Sequence, residues 1–213
     1  MLRKGDVVVF QGDSITDGGR SRDDDQNHIM GHGFAYIATA RLMADHPDLS
    51  LTFYNRGVSG NRVVDLYARW REDAINLMPS VVSILVGIND VSAEIIRNAG
   101  VSAERFEKVL RLLLDETSEA IEAVRFILCE PFYLPNQRRD PHNDRYVEEV
   151  TLRASIVASL AREKGATFVP LQRIFDEAAE RAPASYWLWD GVHPTPQGHE
   201  LIARQWLAAV ERV

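Results

Sequence analysis

Four short polar segments hold the residues whose chemistry stands out in this sequence: Gly12-Asp13-Ser14, Asn55-Arg56-Gly57-Val58-Ser59-Gly60-Asn61, Gly87-Ile88-Asn89-Asp90 and Trp189-Asp190-Gly191-Val192-His193-Pro194. Acyl transfer needs a nucleophile, a base to take its proton, a group that orients the base, and donors aimed at the developing oxyanion. The four segments contain one of each. Ser14 offers a hydroxyl on a strand-to-helix turn where Gly12 gives clearance, and a helix N-terminus there favours a nearby anion. His193 is the candidate base. Asp190, three residues earlier in a turn containing Gly191, can reach the imidazole and hold the tautomer whose free nitrogen faces Ser14. Asn89 supplies a side-chain amide, and the backbone amides of Gly60 and Ser14 are its natural companions as oxyanion donors.

Each assignment has a plainer rival in the sequence alone. Ser14 with Asp17 three residues on also reads as a helix N-cap and its companion. Asn89 also reads as a turn residue satisfying its own backbone, Gly60 as relief for a turn, and His193 as a ring packed under Pro194. Asp13 reads as the anchor of its turn and is also counted, with Trp189, among the residues expected to bind substrate. Asp17 is the reserve for orienting the base. Tyr186, Trp187 and Trp189 suit stacking on sugar rings and core packing equally well. His28 and His32 are four residues apart, but Gly31 and Gly33 point to a loop and no glutamate completes a zinc-protease motif, so no metal site is expected. Asp23 to Asp25 reads as a solvated loop. Cys129 is expected to be buried and inert, and His199 to face away from the site in a structural role.

The elements that must position these segments follow from the apolar pattern. Val7 to Phe10, Leu51 to Tyr54, Val81 to Val86, Phe126 to Cys129 and Thr167 to Val169 are short apolar runs without polar alternation, as strands buried on both faces require. Between them lie stretches of helical period: Val63, Leu66, Trp70, Ala74 and Leu77; Phe106, Val109, Leu110 and Leu113; Val147, Val150, Ala154, Val157 and Leu160. Gly165 stands where a helix C-cap belongs, and Thr195-Pro196 reads as N-cap and first residue of a last helix. The alternation predicts an α/β fold, a three-layer α/β/α sandwich around a five-stranded parallel sheet. Three of the four polar segments then lie at C-terminal strand ends, the edge where open parallel sheets bind ligands. Two long polar loops, Arg20 to Gly33 and Tyr133 to Asn143, are candidate binding walls.

With 213 residues and 46% hydrophobic content, one domain spanning residues 1–213 is expected. The 24 basic and 31 acidic side chains leave a formal charge of -7 with no concentrated basic stretch, which argues against a nucleic-acid partner. A single cysteine forms no intrachain disulfide. The N-terminal residues lack the apolar stretch of about 7 to 15 residues that marks a secretory signal, and no apolar run approaches the roughly 20 residues that cross a bilayer. A cytoplasmic location without membrane partners is the expectation, and association into a homo-oligomer is compatible with it.

The order Gly12-Asp13-Ser14-Ile15, then Gly60, then Asn89, then Asp190 and His193 resembles the SGNH, or GDSL-type, hydrolases over nearly the whole chain. The fuller strings Gly12-Asp13-Ser14-Ile15-Thr16-Asp17, Ile84-Leu85-Val86-Gly87-Ile88-Asn89-Asp90 and Trp189-Asp190-Gly191-Val192-His193-Pro194 are most similar to the bacterial acetylxylan-esterase branch. The resemblance implies a flavodoxin-like sandwich with Ser14 as nucleophile, His193 as base, Asp190 as its orienter, and Ser14, Gly60 and Asn89 as oxyanion donors. It implies no metal or other cofactor, and a small-molecule ester as partner, an acetyl group on a sugar such as an acetylated xylo-oligosaccharide. A broader lipase, arylesterase or thioesterase is the alternative on the same residues, and a non-catalytic carbohydrate-binding protein a third. Ile15 stands where many relatives carry Leu, a volume-conserving change. The nucleophile segment is not Gly-x-Ser-x-Gly, so an α/β-hydrolase elbow is not implied.

Overall fold

The computed structural model describes residues 2–23, 25–135 and 141–211. The apolar runs form five strands: β1 Val7–Gly12, β2 Thr52–Asn55, β3 Val81–Leu85, β4 Arg125–Cys129 and β5 Thr167–Val169. All pair in parallel in the order β2-β1-β3-β4-β5. Valine and phenylalanine are the commonest strand residues, as suits a sheet covered on both faces, and every residue of β3 is buried.

Nine α-helices lie among the described residues: α1 Ser14–Asp17, α2 Phe34–Asp45, α3 Val63–Asp73, α4 Ile88–Arg97, α5 Ala103–Ala120, α6 Asn143–Lys164, α7 Gln172–Ala179, α8 Ala184–Trp187 and α9 Pro196–Glu211. Alternate strand residues face opposite layers. Val8, Phe10, Val81 and Ile127 pack with Ala35, Ala38 and Leu42 of α2 and with Ile202, Ala203 and Trp206 of α9. Val82, Ile84, Phe126 and Leu128 pack with Leu66 and Trp70 of α3, Phe106, Leu110 and Leu113 of α5, and Val157 and Leu160 of α6. The three-layer sandwich expected from the alternation is the one observed.

Three details differ from the sequence reading. The stripe from Val63 to Leu77 is not one helix: α3 stops at Asp73, and Ile75–Leu77 forms a separate 3-10 turn just ahead of Pro79. A proline cannot continue a helix, and the chain must turn here into β3. In α6 the buried stripe begins at Tyr146, whereas Val147 is 41% exposed. The periodicity of the stripe is right and its first turn is rotated by one residue. Helices α2, α4, α7 and α8 had no counterpart in the sequence pattern; the segment containing Asn89 is the first turn of α4, not a free turn. Gly165 does end α6 in the left-handed conformation, and Thr195 accepts the Gly198 N–H at the start of α9. Of the two long loops, residues 136–140 and Asp24 lie outside the described residues.

The sheet order places the site. From β1 the chain passes to β2 on one side and then to β3 on the other, so the C-terminal ends of β1 and β3 flank the point where the winding reverses. Crevices in open parallel sheets form at this point.

Candidate active site

Gly12, the last residue of β1, lies so close to β3 that a Cβ on it would stand 2.3 Å from the carbonyl oxygen of Leu85 and 2.3 Å from Thr16 Oγ1. No other residue fits there. The next residue, Asp13, caps α1: its Oδ1 accepts the N–H of Ile15 at 3.0 Å. Ser14 is therefore the first helical residue and not the cap, which leaves its hydroxyl free for another partner. Asp13 is 1% exposed, with Oδ2 buried and without a hydrogen-bond partner among the described residues. It anchors the turn and is sealed from the cleft, in place of the substrate contact counted among its expected roles. Burial pushes its carboxyl up to about 7, against the opposing effects of the Ile15 N–H and nearby His193.

The partner of Ser14 comes from the far end of the chain. Ser14 Oγ lies 3.0 Å from His193 Nε2, and His193 Nδ1 lies 2.7 Å from Asp190 Oδ2. The second oxygen of Asp190 accepts the N–H groups of His193 at 2.7 Å and Val192 at 3.0 Å, so one carboxylate fixes both the imidazole and the backbone that carries it. The segment is closed by Trp189 N–H donating to the His193 carbonyl at 3.1 Å. The Asp190 hydrogen bond raises the His193 pKa above the ordinary imidazole value, outweighing the effect of burial. Burial opposes ionisation of Asp190, but the bonds from the His193 ring and the two N–H groups hold its carboxyl below the usual range.

Asn89 and Gly60 approach from two other strand ends. Asn89 Nδ2 donates to the Asn61 carbonyl at 3.2 Å, which orients the amide and leaves its second hydrogen available. It does not bond its own backbone, as the turn reading required. Gly60 adopts φ +82° with nothing within 4 Å of a Cβ position, so its glycine is a backbone requirement. Among the described residues, the N–H groups of Ser14 and Gly60 donate to no acceptor. These N–H groups and the Asn89 amide are the three expected oxyanion donors.

Two residues with unassigned or reserve roles hold the segment that carries Gly60 in place. Asp17 accepts Arg22 Nη2 at 2.6 Å and the Ser59 N–H at 2.9 Å, which takes it out of contention as the orienter of the base and makes it a brace beside Gly60. Asn55 is buried, with Nδ2 bonded to the carbonyls of Thr16 at 2.7 Å and Met30 at 2.9 Å and Oδ1 accepting the Gly57 N–H at 2.9 Å. The sequence marked Asp17 only as the reserve orienter and Asn55 only by its place in a polar segment; the contacts with Ser59, Thr16 and Met30 span 25 to 42 residues. Behind Asn89, Asp90 is fully buried with both oxygens on the Val63 N–H, and its carboxyl is pushed up to about 7 by burial, with Asp13 adding to the rise.

The three aromatic residues divide. Trp187 is buried in the core, while Tyr186 and Trp189 face solvent. The Trp189 ring stacks on the His193 ring, centroids 5.8 Å apart and planes 20° apart, and the residue remains 62% exposed. His28 pairs with Asp25 at 2.5 Å, and no group of three His, Cys, Asp or Glu among the described residues is arranged to hold a metal. His199 is turned inward, where Nδ1 accepts the Phe34 N–H at 3.2 Å at the start of α2, and burial lowers its pKa to about 4. Cys129 is buried, its thiol pushed up to about 12 by burial. The resulting arrangement is a hydroxyl on an imidazole backed by a carboxylate, with three polar hydrogens nearby.

The chain is similar to known proteins in both sequence and fold. A sequence model described as the GDSL-like Lipase/Acylhydrolase family matches residues 10–201. An acetylxylan esterase of Geobacillus stearothermophilus is 35% identical over 218 residues, covering 98% of this chain and 95% of that protein. A crystal structure from Parabacteroides merdae ATCC 43184, described as a candidate GDSL-like lipase, superposes with a TM-score of 0.93 at 35% identity, covering 99% of this chain and 98% of the other. A catalytic mutant of Axe2, an acetylxylan esterase from Geobacillus stearothermophilus, superposes with a TM-score of 0.89 at 33% identity, covering 99% and 96%.

Proposed function

We infer the reaction from what this chain is: it belongs to the GDSL-like lipase/acylhydrolase family and is a serine esterase, a carboxylic ester hydrolase. The reading is hydrolysis of acetyl esters on carbohydrates through an acyl-enzyme, and the observation that carries it is the Ser14, His193 and Asp190 relay. Asp190 accepts the hydrogen on Nδ1, which leaves the lone pair of Nε2 for the Ser14 hydroxyl proton. Ser14 Oγ then attacks the ester carbonyl as its proton passes to Nε2. The carbonyl oxygen becomes an oxyanion that accepts from the N–H groups of Ser14 and Gly60 and from Asn89 Nδ2. Collapse breaks the bond to the alcohol, which leaves with the proton from Nε2. Water, deprotonated by the same imidazole, releases acetate from Ser14.

Two observations support a sugar as the alcohol half: Trp189 exposes apolar ring area beside His193, with Tyr186 also facing solvent, and the curated relative is named for acetylxylan. Treatment with a phosphonylating reagent followed by digestion and mass spectrometry is the test of the mechanism. Ser14 should be the one labelled serine, and Ser14→Ala should lower turnover by at least about 10⁴-fold. Label on Ser59 or Ser83 with Ser14 untouched would falsify the assignment.

A further inference from the structure

Helix α3 contributes none of the reacting groups, yet one of its side chains touches two of the three backbone segments that the proposed oxyanion site depends on, and reaches the third through Asn61. Arg69, only 18% exposed, donates from Nε to Asn61 Oδ1 at 2.8 Å and from Nη1 to the Arg56 carbonyl at 2.8 Å. Its Nη2 reaches the carbonyl of Gly12 at 3.4 Å, and Nη1 also meets Asp73 Oδ2 at 2.8 Å, an ion pair one helical turn away that holds the guanidinium in orientation. One planar group thus ties the residue two before the nucleophile, the residue that follows β2, and the residue next to Gly60. Asn61 passes the constraint on: its own N–H bonds to the Val58 carbonyl at 3.1 Å, closing the turn around Gly60, and its carbonyl receives the Asn89 amide at 3.2 Å.

We propose that Arg69 is a positioning residue that sets Gly60 and Asn89 at their working distance from Ser14. The inference rests on the reading of those three residues as oxyanion donors. Its physical basis is the fork: a guanidinium presents five N–H donors in a rigid plane and can hold three separated acceptors at fixed spacing, which the single ammonium of lysine cannot reproduce. Oxyanion stabilisation depends on donors already in place when charge develops, so a loosened segment costs transition-state binding and leaves ground-state binding largely as it was.

The test is kinetic, on p-nitrophenyl acetate, with Arg69→Lys, Arg69→Met and Asn61→Ala. Displacements of this kind away from the reacting atoms cost up to about 10²-fold. Each variant should therefore lose about tenfold to hundredfold in kcat with KM little changed. In an Asn89→Ala background Arg69→Met should cost less than in the wild type, because one of the two donors that Arg69 sets is already removed. Asn61→Ala removes one acceptor without disturbing the Asp73 pair, so it carries the test if the Arg69 variants fail to fold. Wild-type kcat in folded Arg69→Met or Asn61→Ala, or an Arg69→Met loss that multiplies in full onto Asn89→Ala, overturns the proposal. Asn89→Ala at wild-type turnover would remove the oxyanion reading and this proposal with it, whereas a slow Asn89→Ala beside a fast Arg69→Met removes this proposal alone.

Discussion

Asp190 divides its two oxygens between the imidazole of His193 and two backbone N–H groups, and the first of these bonds raises the pKa of the imidazole. The proposed mechanism needs the imidazole neutral before attack, and its pKa is raised by the Asp190 bond. Protonation then begins at a higher pH than for a free imidazole, so kcat/KM should fall on acidification with a midpoint above about 6.5. In Asp190→Asn the midpoint should drop, and turnover should fall by about 10⁴-fold because an amide donating to Nδ1 selects the wrong tautomer. A wild-type midpoint at or below the free-imidazole value, or one unmoved in Asp190→Asn, would contradict the assigned pairing. The contrast with Asp17 shows how geometry separates two carboxylates that sequence distance alone ranks equally. Asp17 lies three residues from Ser14 but is occupied by Arg22 and the Ser59 N–H.

Among the elements, the turn between β1 and α1 has the least room for change. The clash awaiting a Cβ on Gly12 is with a strand carbonyl of β3, which no rotamer change relieves. Gly12→Ala should cost the upper end of about 1–3 kcal/mol and displace Ser14 with it. Gly60→Ala meets no neighbour and is opposed by its positive φ alone, about 1–2 kcal/mol. Urea midpoints should therefore place Gly12→Ala below Gly60→Ala, and adding Thr16→Ala should not rescue Gly12→Ala, since the Leu85 carbonyl remains. Equal midpoints, or rescue by Thr16→Ala, would mean that β1 and β3 separate easily at this edge. The strands were legible within two residues at each end because a doubly covered sheet demands uninterrupted apolar runs. Helix α4 was not legible: its first turn carries the polar residues of the site, and Gly87 at its start reads as a loop signal.

For the molecule as a whole, the open question is what the cleft admits. The proposed acetyl preference predicts a falling specificity constant from p-nitrophenyl acetate to butyrate to octanoate. Forcing extra methylenes into a pocket shaped for a methyl group costs about 1–3 kcal/mol, or roughly tenfold to a hundredfold in rate. Acetate release from acetylated xylo-oligosaccharides should accompany it. A constant that rises with chain length would favour a lipase on the same catalytic residues, an activity also named in the description of the family. The outward Trp189 and Tyr186 make a second distinction, since removing an aromatic platform should raise KM for the oligosaccharide and leave p-nitrophenyl acetate nearly unaffected.

By itself the sequence determined the layer architecture, the strand positions and the four polar segments with Ser14, Gly60, Asn89, Asp190 and His193 in them. These are encoded locally, as apolar period, as glycine where the backbone requires it, and as reactive side chains at strand ends. The tertiary structure alone decided which neighbours those residues meet. That Trp187 is buried while Trp189 covers the imidazole, and that Arg69 reaches Gly12, Arg56 and Asn61, depend on how strands and helices distant in sequence are brought together. A hydrogen bond between Ser59 and Asp17 spans 42 residues, and its length is set by the parallel pairing of β1 with β2. Local sequence pattern carries periodicity and residue type; the distance between two side chains on different strand ends is a property of the packed sheet.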